Sequence, residues 1–306
     1  MSARTEYERA LSRELTAVGI SGQLRRRILD EIGDHLSCDP GAPLGEPRAL
    51  AGDFADVIGT ARAKTAALAA FASLVVAGLL FAAAFAAAPN GLLRTAQRAG
   101  VPGLAQVPTP LTVVAAGVAA IAAQVAFAAG CLAAARWLWR RHEGALPAAE
   151  ATVIRRRAVV GVGAGIVTML SLGVIGVAVR HQLGSGSSDV AVVAAGVGLL
   201  ALLSAVPWLW AAARVQPTVA GDAGDVIDDL GPLAPAGLRG HPWRFAVWFA
   251  LGLVALITVA AVPAQDVYDG ALRGLLDAAV CLVGFATLGR YLGLWRSGGP
   301  GESVSG

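Results

Sequence analysis

"AALAAFASLVVAGLLFAAAFAAA", residues 66–88, decides the fold. It contains no charge, and a helix needs only ~20 apolar residues to cross the ~30 Å hydrocarbon core of a bilayer. The N-terminal side of this run is different in kind. Residues 1–64 hold 9 of the 24 Lys+Arg and 10 of the 21 Asp+Glu. On the C-terminal side the pattern recurs: stretches 111–135, 158–179, 190–213, 245–263 and 273–294 are each apolar and of span length. The chain of 306 residues is 56% hydrophobic and only 15% charged, against ~25% charged in a typical soluble domain. The sequence therefore predicts an all-α protein. A small cytoplasmic three-helix module (1–64) precedes a six-helix transmembrane bundle (65–296) and a flexible cytoplasmic tail (297–306). The charged N-terminus has no room for a signal-peptide h-region, so the first span is expected to be retained.

Arginine placement predicts the orientation. With the N-terminus inside, the inner pieces carry 20 basic residues, and the outer loops carry only Arg94, Arg98, Arg180 and Arg273. Such asymmetry marks the cytoplasmic side. Trp137, Trp139, Trp208, Trp210, Trp243, Trp248 and Trp295 all fall near that same interface, where an apolar ring with a polar N–H is best placed. The abundance of Ala and Gly, with Lys64 the only lysine, suggests a bacterial source. The expected location is the bacterial inner membrane.

Several function classes lack support. The net charge of +3 is small and its basic residues flank spans, so no direct nucleic-acid contact is expected. Cys38, Cys131 and Cys281 form neither a disulfide framework nor a zinc pattern. Neither HExxH, Walker A, GxSxG nor a kinase signature is present. The expectation is a non-enzyme without cofactor or metal. Transport needs polar groups within the bundle, and only Gln124 in span two and Asp277 in span six stand out. Gln124 reads as an interhelix hydrogen-bonding amide. Asp277 reads as an i,i+4 partner of Arg273 or as an ion site. Gly161, Gly165, Gly173 and Gly176 put a small-residue face on span three, suited to close helix approach.

The N-terminal 64 residues read as three amphipathic helices. Thr5 and Glu8 can form a capping box, followed by an apolar stripe of Tyr7, Leu11, Leu15 and Val18 and a stop at Gly19. Ser21 can cap the second helix, whose stripe is Leu24, Ile28, Leu29, Ile32 and Leu36. Pro47 opens the third, with Leu50, Phe54, Val57, Ile58 and Ala61 as its buried face. Helix two, "LRRRILDEIGDHL" (24–36), carries an unusual charge order. Arg25, Arg26 and Arg27 lie near its N-terminus, and Asp30, Glu31, Asp34 and His35 toward its C-terminus. The macrodipole favours the reverse by ~0.3–1 kcal/mol per charge. These seven residues are either a solvated face or a partner-binding one. The inner loop "GDAGDVIDDLGPL" (221–233) is a candidate docking element for the arginines.

The run "YERALSRELTAVGISGQLRRRILDEIGDHL", continued by "ALAGDFADVIGTARAK", resembles the HAAS signalling-domain family of small N-terminal helical domains in bacterial membrane proteins. Arg26, Ile28, Leu29, Glu31, Ile32, Asp34, His35 and Leu36 carry the likeness, which covers about residues 5–64. The resemblance implies a regulatory or sensory role with a cytoplasmic protein partner, a PadR-like transcriptional regulator being one candidate. Besides that partner and the lipid bilayer, homo-oligomerisation stays open. The alternative is a transporter or permease subunit with a regulatory N-terminal domain. Helix three enters span one without a proline, so the junction is either a rigid continuation or a hinge at Gly59 and Thr60.

Overall fold

The computed structural model describes residues 3–39, 44–87, 110–183, 185–215 and 217–221, with isolated helical positions between 244 and 286. Among the described residues the protein is all-helical: α1 (Ala3–Ala17), α2 (Gly22–Cys38), α3 (Pro47–Ala87), α4 (Pro110–Trp139), α5 (Ala148–Leu183), α6 (Ser185–Leu203) and α7 (Val206–Arg214). Four helices are long and apolar enough to cross a membrane: those containing α3, α4 and α5, and the α6–α7 pair. They coincide with the first four apolar stretches of the sequence. The stretches 245–263 and 273–294, with Asp277, lie outside the described residues apart from the isolated positions.

α1 ends as its sequence dictates. Gly19 adopts φ +85°, and the N–H groups of Gly19 and Ile20 bond the carbonyls of Thr16 and Leu15 at 3.1 and 2.8 Å. This is a Schellman closure, with Ile20 packed beside Leu15; both are fully buried. Two caps differ from the sequence reading. α1 begins at Ala3, which puts Thr5 inside its first turn. Ser21 occupies the N-cap of α2 in extended geometry, but its side chain makes no capping bond.

The apolar stripes of α1 and α2 meet the start of α3 in one core. Leu11, Leu15, Ile20, Ile28, Ala51 and Ala55 are buried, with Tyr7, Leu24, Leu29, Ile32, Leu50, Phe54 and Ile58 packed around them. The expected face of α3 holds at Leu50, Phe54 and Ile58 and fails at Val57 and Ala61. Val57 is 56% exposed and Ala61 is exposed, whereas Ala51, Ala55, Gly59 and Ala63 point inward. Ala51, Ala55 and Ala63 sit within clusters of buried residues, and at Gly59 an added Cβ would lie 2.9 Å from the Pro217 backbone nitrogen, so small residues fit this line.

α3 is the largest departure from a modular reading. It runs 41 residues without interruption, about 60 Å at 1.5 Å per residue, or twice the thickness of a bilayer core. The same helix that closes the N-terminal core enters the bundle. There Ala66 and Ala70 pack on Ala158, Val162, Leu209 and Ala212, and Ala63 and Ala67 on Ala133, Leu146 and Ile154. Deeper along the bundle, Leu74 fills a hole made by glycines. A Cβ on Gly130, Gly161 or Gly165 would come within 2.7, 3.3 or 2.8 Å of its methyls. The glycine face of α5 therefore serves packing within the chain. The fourth span bends at Ser204–Ala205. Pro207, in the first turn of α7, has no N–H to give the ladder, and Trp208 N–H reaches only the Ala205 carbonyl, at 3.1 Å.

Candidate functional site

The surface with the most specific chemistry is the junction between the N-terminal core and the bundle. It is built on one polar line of α3: Asp56, Thr60 and Lys64, at i, i+4 and i+8, share one side of the helix. Each is occupied by a different piece of remote chain. One Asp56 carboxylate oxygen accepts bonds from the Thr218 N–H, the Thr218 hydroxyl at 2.9 Å and the Val219 N–H at 3.2 Å. Thr60, 1% exposed, accepts from the Leu146 N–H at 2.9 Å. Lys64 donates to the Glu143 carbonyl. Two connectors are thereby fastened to α3: the α4–α5 loop and a strap that comes after α7, described at Val215 and 217–221. The connectors also hold each other, Ala148 N–H bonding the Val219 carbonyl at 2.9 Å.

Apolar contacts continue the junction. Val215, 1% exposed, is part of the N-terminal core. Pro217 lies over Gly59, where a Cβ would fall 2.8 Å from its ring. Gly19 abuts the end of α7 so closely that a Cβ there would lie 1.9 Å from the Arg214 carbonyl oxygen. Gly59 and Thr60, open to reading as a hinge, are both buried and form the seat of the strap and the loop. α3 runs through both positions without interruption, and each carries a contact from remote chain.

Beneath the loop lies a charged cluster. Glu150 (side chain 3% exposed) sits 3.0 Å from Arg140 Nε and 3.9 Å from Arg136 Nε. Arg140 also reaches Glu143 at 2.6 Å, and its pKa is raised, chiefly by that hydrogen bond. Arg157, fully buried, donates to the Leu132 carbonyl at 3.4 Å. The apolar run of span three starts at 158; α5 starts at Ala148, because its first turns bury these charges against α4.

The seven α2 residues proposed from sequence separate into two groups. Arg25 is half-buried and turns onto α1, donating to the Thr16 hydroxyl at 2.7 Å. It thus lies by the C-terminal turn of α1, where a cation is favoured. Part of the unusual charge order of α2 is explained by its neighbour's dipole. Arg26, Arg27, Asp30, Glu31, Asp34 and His35 are exposed. Gln124 is half-buried on α4. The acidic loop from Asp222 onward lies outside the described residues, although the strap before it docks on α3.

No family model, curated protein or solved structure matches the chain. The junction therefore stands on its own chemistry. Sequence reasoning missed Asp56, Thr218, Val215 and Glu150. The readable signal was the four-residue spacing of Asp56, Thr60 and Lys64 beside the small residues Ala51, Ala55, Gly59 and Ala63. A helix with a polar line and a small-residue line side by side is shaped to receive backbone.

Proposed function

We propose that this is a six-span bacterial inner-membrane protein with a cytoplasmic N-terminus and a regulatory or sensory role. It passes the state of its bundle to a cytoplasmic protein through an N-terminal HAAS-like helical module. The observation that carries the reading is the continuity of α3. One helix contributes to the N-terminal core and to the bundle, so tilt or rotation of the span reorients α1 and α2. The exposed α2 residues Arg26, Arg27, Asp30, Glu31, Asp34 and His35 are the surface offered to the partner. A PadR-like transcriptional regulator fits the resemblance of residues 5–64.

The test uses the full chain in lipid nanodiscs. Spin labels at Val57 and Leu79, exposed positions on α3, are about 33 Å apart along one helix. A narrow distance distribution near that value is expected; a broad one excludes mechanical coupling. In parallel, the intact protein and a variant reversed at Arg26, Arg27 and Glu31 are used to capture partners. Recovery of a DNA-binding regulator by the intact protein alone supports the assignment. Recovery of an ATPase instead would make the chain a transporter subunit.

A further inference from the structure

The last turn of α7 gathers two guanidinium groups that the coupling scheme does not use. Arg62, reaching from α3, donates through Nη1 to the Ala211 carbonyl at 3.3 Å. Arg214 stacks on the Trp210 ring, its guanidinium carbon 3.3 Å from the ring centroid. Ala211 and Arg214 are one helical turn apart, so both cations flank the same helix end. Neither forms an ion pair among the described residues. α7 contains no carboxylate, and Asp56, six residues before Arg62 on α3, is engaged by the strap. Trp208 and Trp210 are 52% and 59% exposed at the end of a span. Tryptophans so placed mark the headgroup level of a bilayer.

An exposed Arg–Trp stack beside a second arginine, at headgroup depth, has a definite complement. Guanidinium forks match phosphate oxygens. Arg62 spends one bond on the helix and keeps its other N–H groups for a ligand. The negative pole of α7 opposes an anion at this end, but Arg62 already occupies one of its carbonyls. We propose that Arg62, Arg214 and Trp210 form a binding site for the phosphate headgroup of an anionic phospholipid. This site goes beyond the coupling role and does not depend on it.

The experiment measures phosphatidylglycerol retained by the full-length protein, by native mass spectrometry from mixed phosphatidylglycerol–phosphatidylcholine nanodiscs. An arginine near an anionic surface contributes a factor of about five to lipid affinity. Arg214→Gln is therefore expected to lower the phosphatidylglycerol preference about fivefold, and the double variant with Arg62→Gln about thirtyfold. Arg214→Lys should fall between wild type and Arg214→Gln, because it keeps the charge but loses the fork. Arg214→Gln alone leaves the Ala211 contact intact, so its loss is not a folding defect. Arg141→Gln removes an exposed charge at another span end, with no stacked tryptophan or second arginine recorded beside it, and should lower the preference by less than Arg214→Gln does. Absence of preference in the wild type, or an equal loss in Arg141→Gln, overturns the site. Displacement of the lipid by millimolar inorganic phosphate would assign the site to a soluble phosphate compound and overturns the lipid assignment.

Discussion

Gly19 and Gly22 provide a controlled perturbation of the junction. Gly19 lies in the α1–α2 turn and Gly22 opens α2, both with left-handed backbone, φ +85° and +68°. An alanine at either pays the left-handed penalty of roughly 1–2 kcal/mol. Their surroundings differ. A Cβ at Gly22 meets nothing within 4 Å, whereas one at Gly19 would lie 1.9 Å from the Arg214 carbonyl oxygen. That neighbour is backbone and cannot rotate away. Restoring ordinary contact at 3.4 Å requires the turn and α7 to part by about 1.5 Å. Such a gap loosens Ile20 and Val215, buried on its two sides, and exposing one such side chain costs roughly 1.5–3 kcal/mol. Gly19→Ala should therefore destabilise the core by about 2–3 kcal/mol more than Gly22→Ala. Hydrogen–deuterium exchange of the full chain in nanodiscs reads this directly. In Gly19→Ala, amides of both 18–22 and 214–219 should exchange roughly 30- to 150-fold faster than in Gly22→Ala, at ~1.4 kcal/mol per decade. Equal effects of the two variants would refute the docking. So would acceleration confined to the turn.

Single contacts supply three further outcomes. Leu74→Ala empties the hole between Gly130, Gly161 and Gly165 and should cost about 2–5 kcal/mol, measured as loss of thermal stability in detergent; adding Gly130→Ala, whose Cβ would otherwise clash with Leu74 alone at 2.7 Å, should recover part of it. Glu150→Gln separates a buried carboxylate from Arg136 and Arg140 and should cost about 3–5 kcal/mol, with faster exchange at 143–151. Tyr7 has its hydroxyl buried without a hydrogen-bond partner among the described residues, and burial raises its pKa above 10.0. The folded pKa exceeds the unfolded one, so stability from neutral Tyr7 is complete below pH 10 and is lost as pH rises through the folded pKa. Tyr7→Phe should be neutral or stabilising at pH 7 and should remove that alkaline loss in a pH series of melting curves.

Local rules carried the sequence reading a long way. The four spans that the structure describes were legible because apolar runs of that length have few alternatives. The stripes of α1 and α2, the stop at Gly19 and the start at Pro47 were legible because periodicity and turn residues act over a few positions. What failed was long-range. The inward face of α3 was misread at Val57 and Ala61, and Ala51 and Ala55 were passed over because small side chains rank low on any hydrophobic scale although both are fully buried in the core. Val215 was invisible because it joins the N-terminal core from nearly two hundred residues downstream. The first turns of α5 looked like a polar loop because Glu150, Arg155, Arg156 and Arg157 hide a helix in which Glu150 is buried against Arg136 and Arg140 and Arg157 bonds a backbone carbonyl. Arg25 was grouped with Arg26 and Arg27 by adjacency, although a step of ~100° per residue turns it onto α1.

The line of small residues on α3 constrains how any signal could travel. Ala51, Ala55, Gly59, Ala63 and Ala67 succeed one another at four-residue steps. Outside the apolar run they receive the N-terminal core, the strap and the α4–α5 loop; inside it they receive α4 and α5. A close-packed line of this kind tolerates neither a gap nor an added methylene cheaply, so α3 cannot bend at Gly59 without parting from Pro217. Rotation of α3 as a whole is different, because it exchanges partners on both halves of the line together. The bonds that resist it are those of Asp56, Thr60 and Lys64, all to connectors whose far ends are α4, α5 and α7. Movement of those spans against α3 therefore strains the three polar contacts before it disturbs the apolar core. Asp56→Ala should reveal this ordering: the amides of Thr218 and Val219 lose their shared acceptor and exchange about thirtyfold faster, for roughly 2 kcal/mol of charge-assisted bonding, while Leu11 and Leu15 keep wild-type protection. If Leu11 and Leu15 were released together with the strap, the core and the connectors would form one cooperative unit, and the polar line would not be the part that yields first.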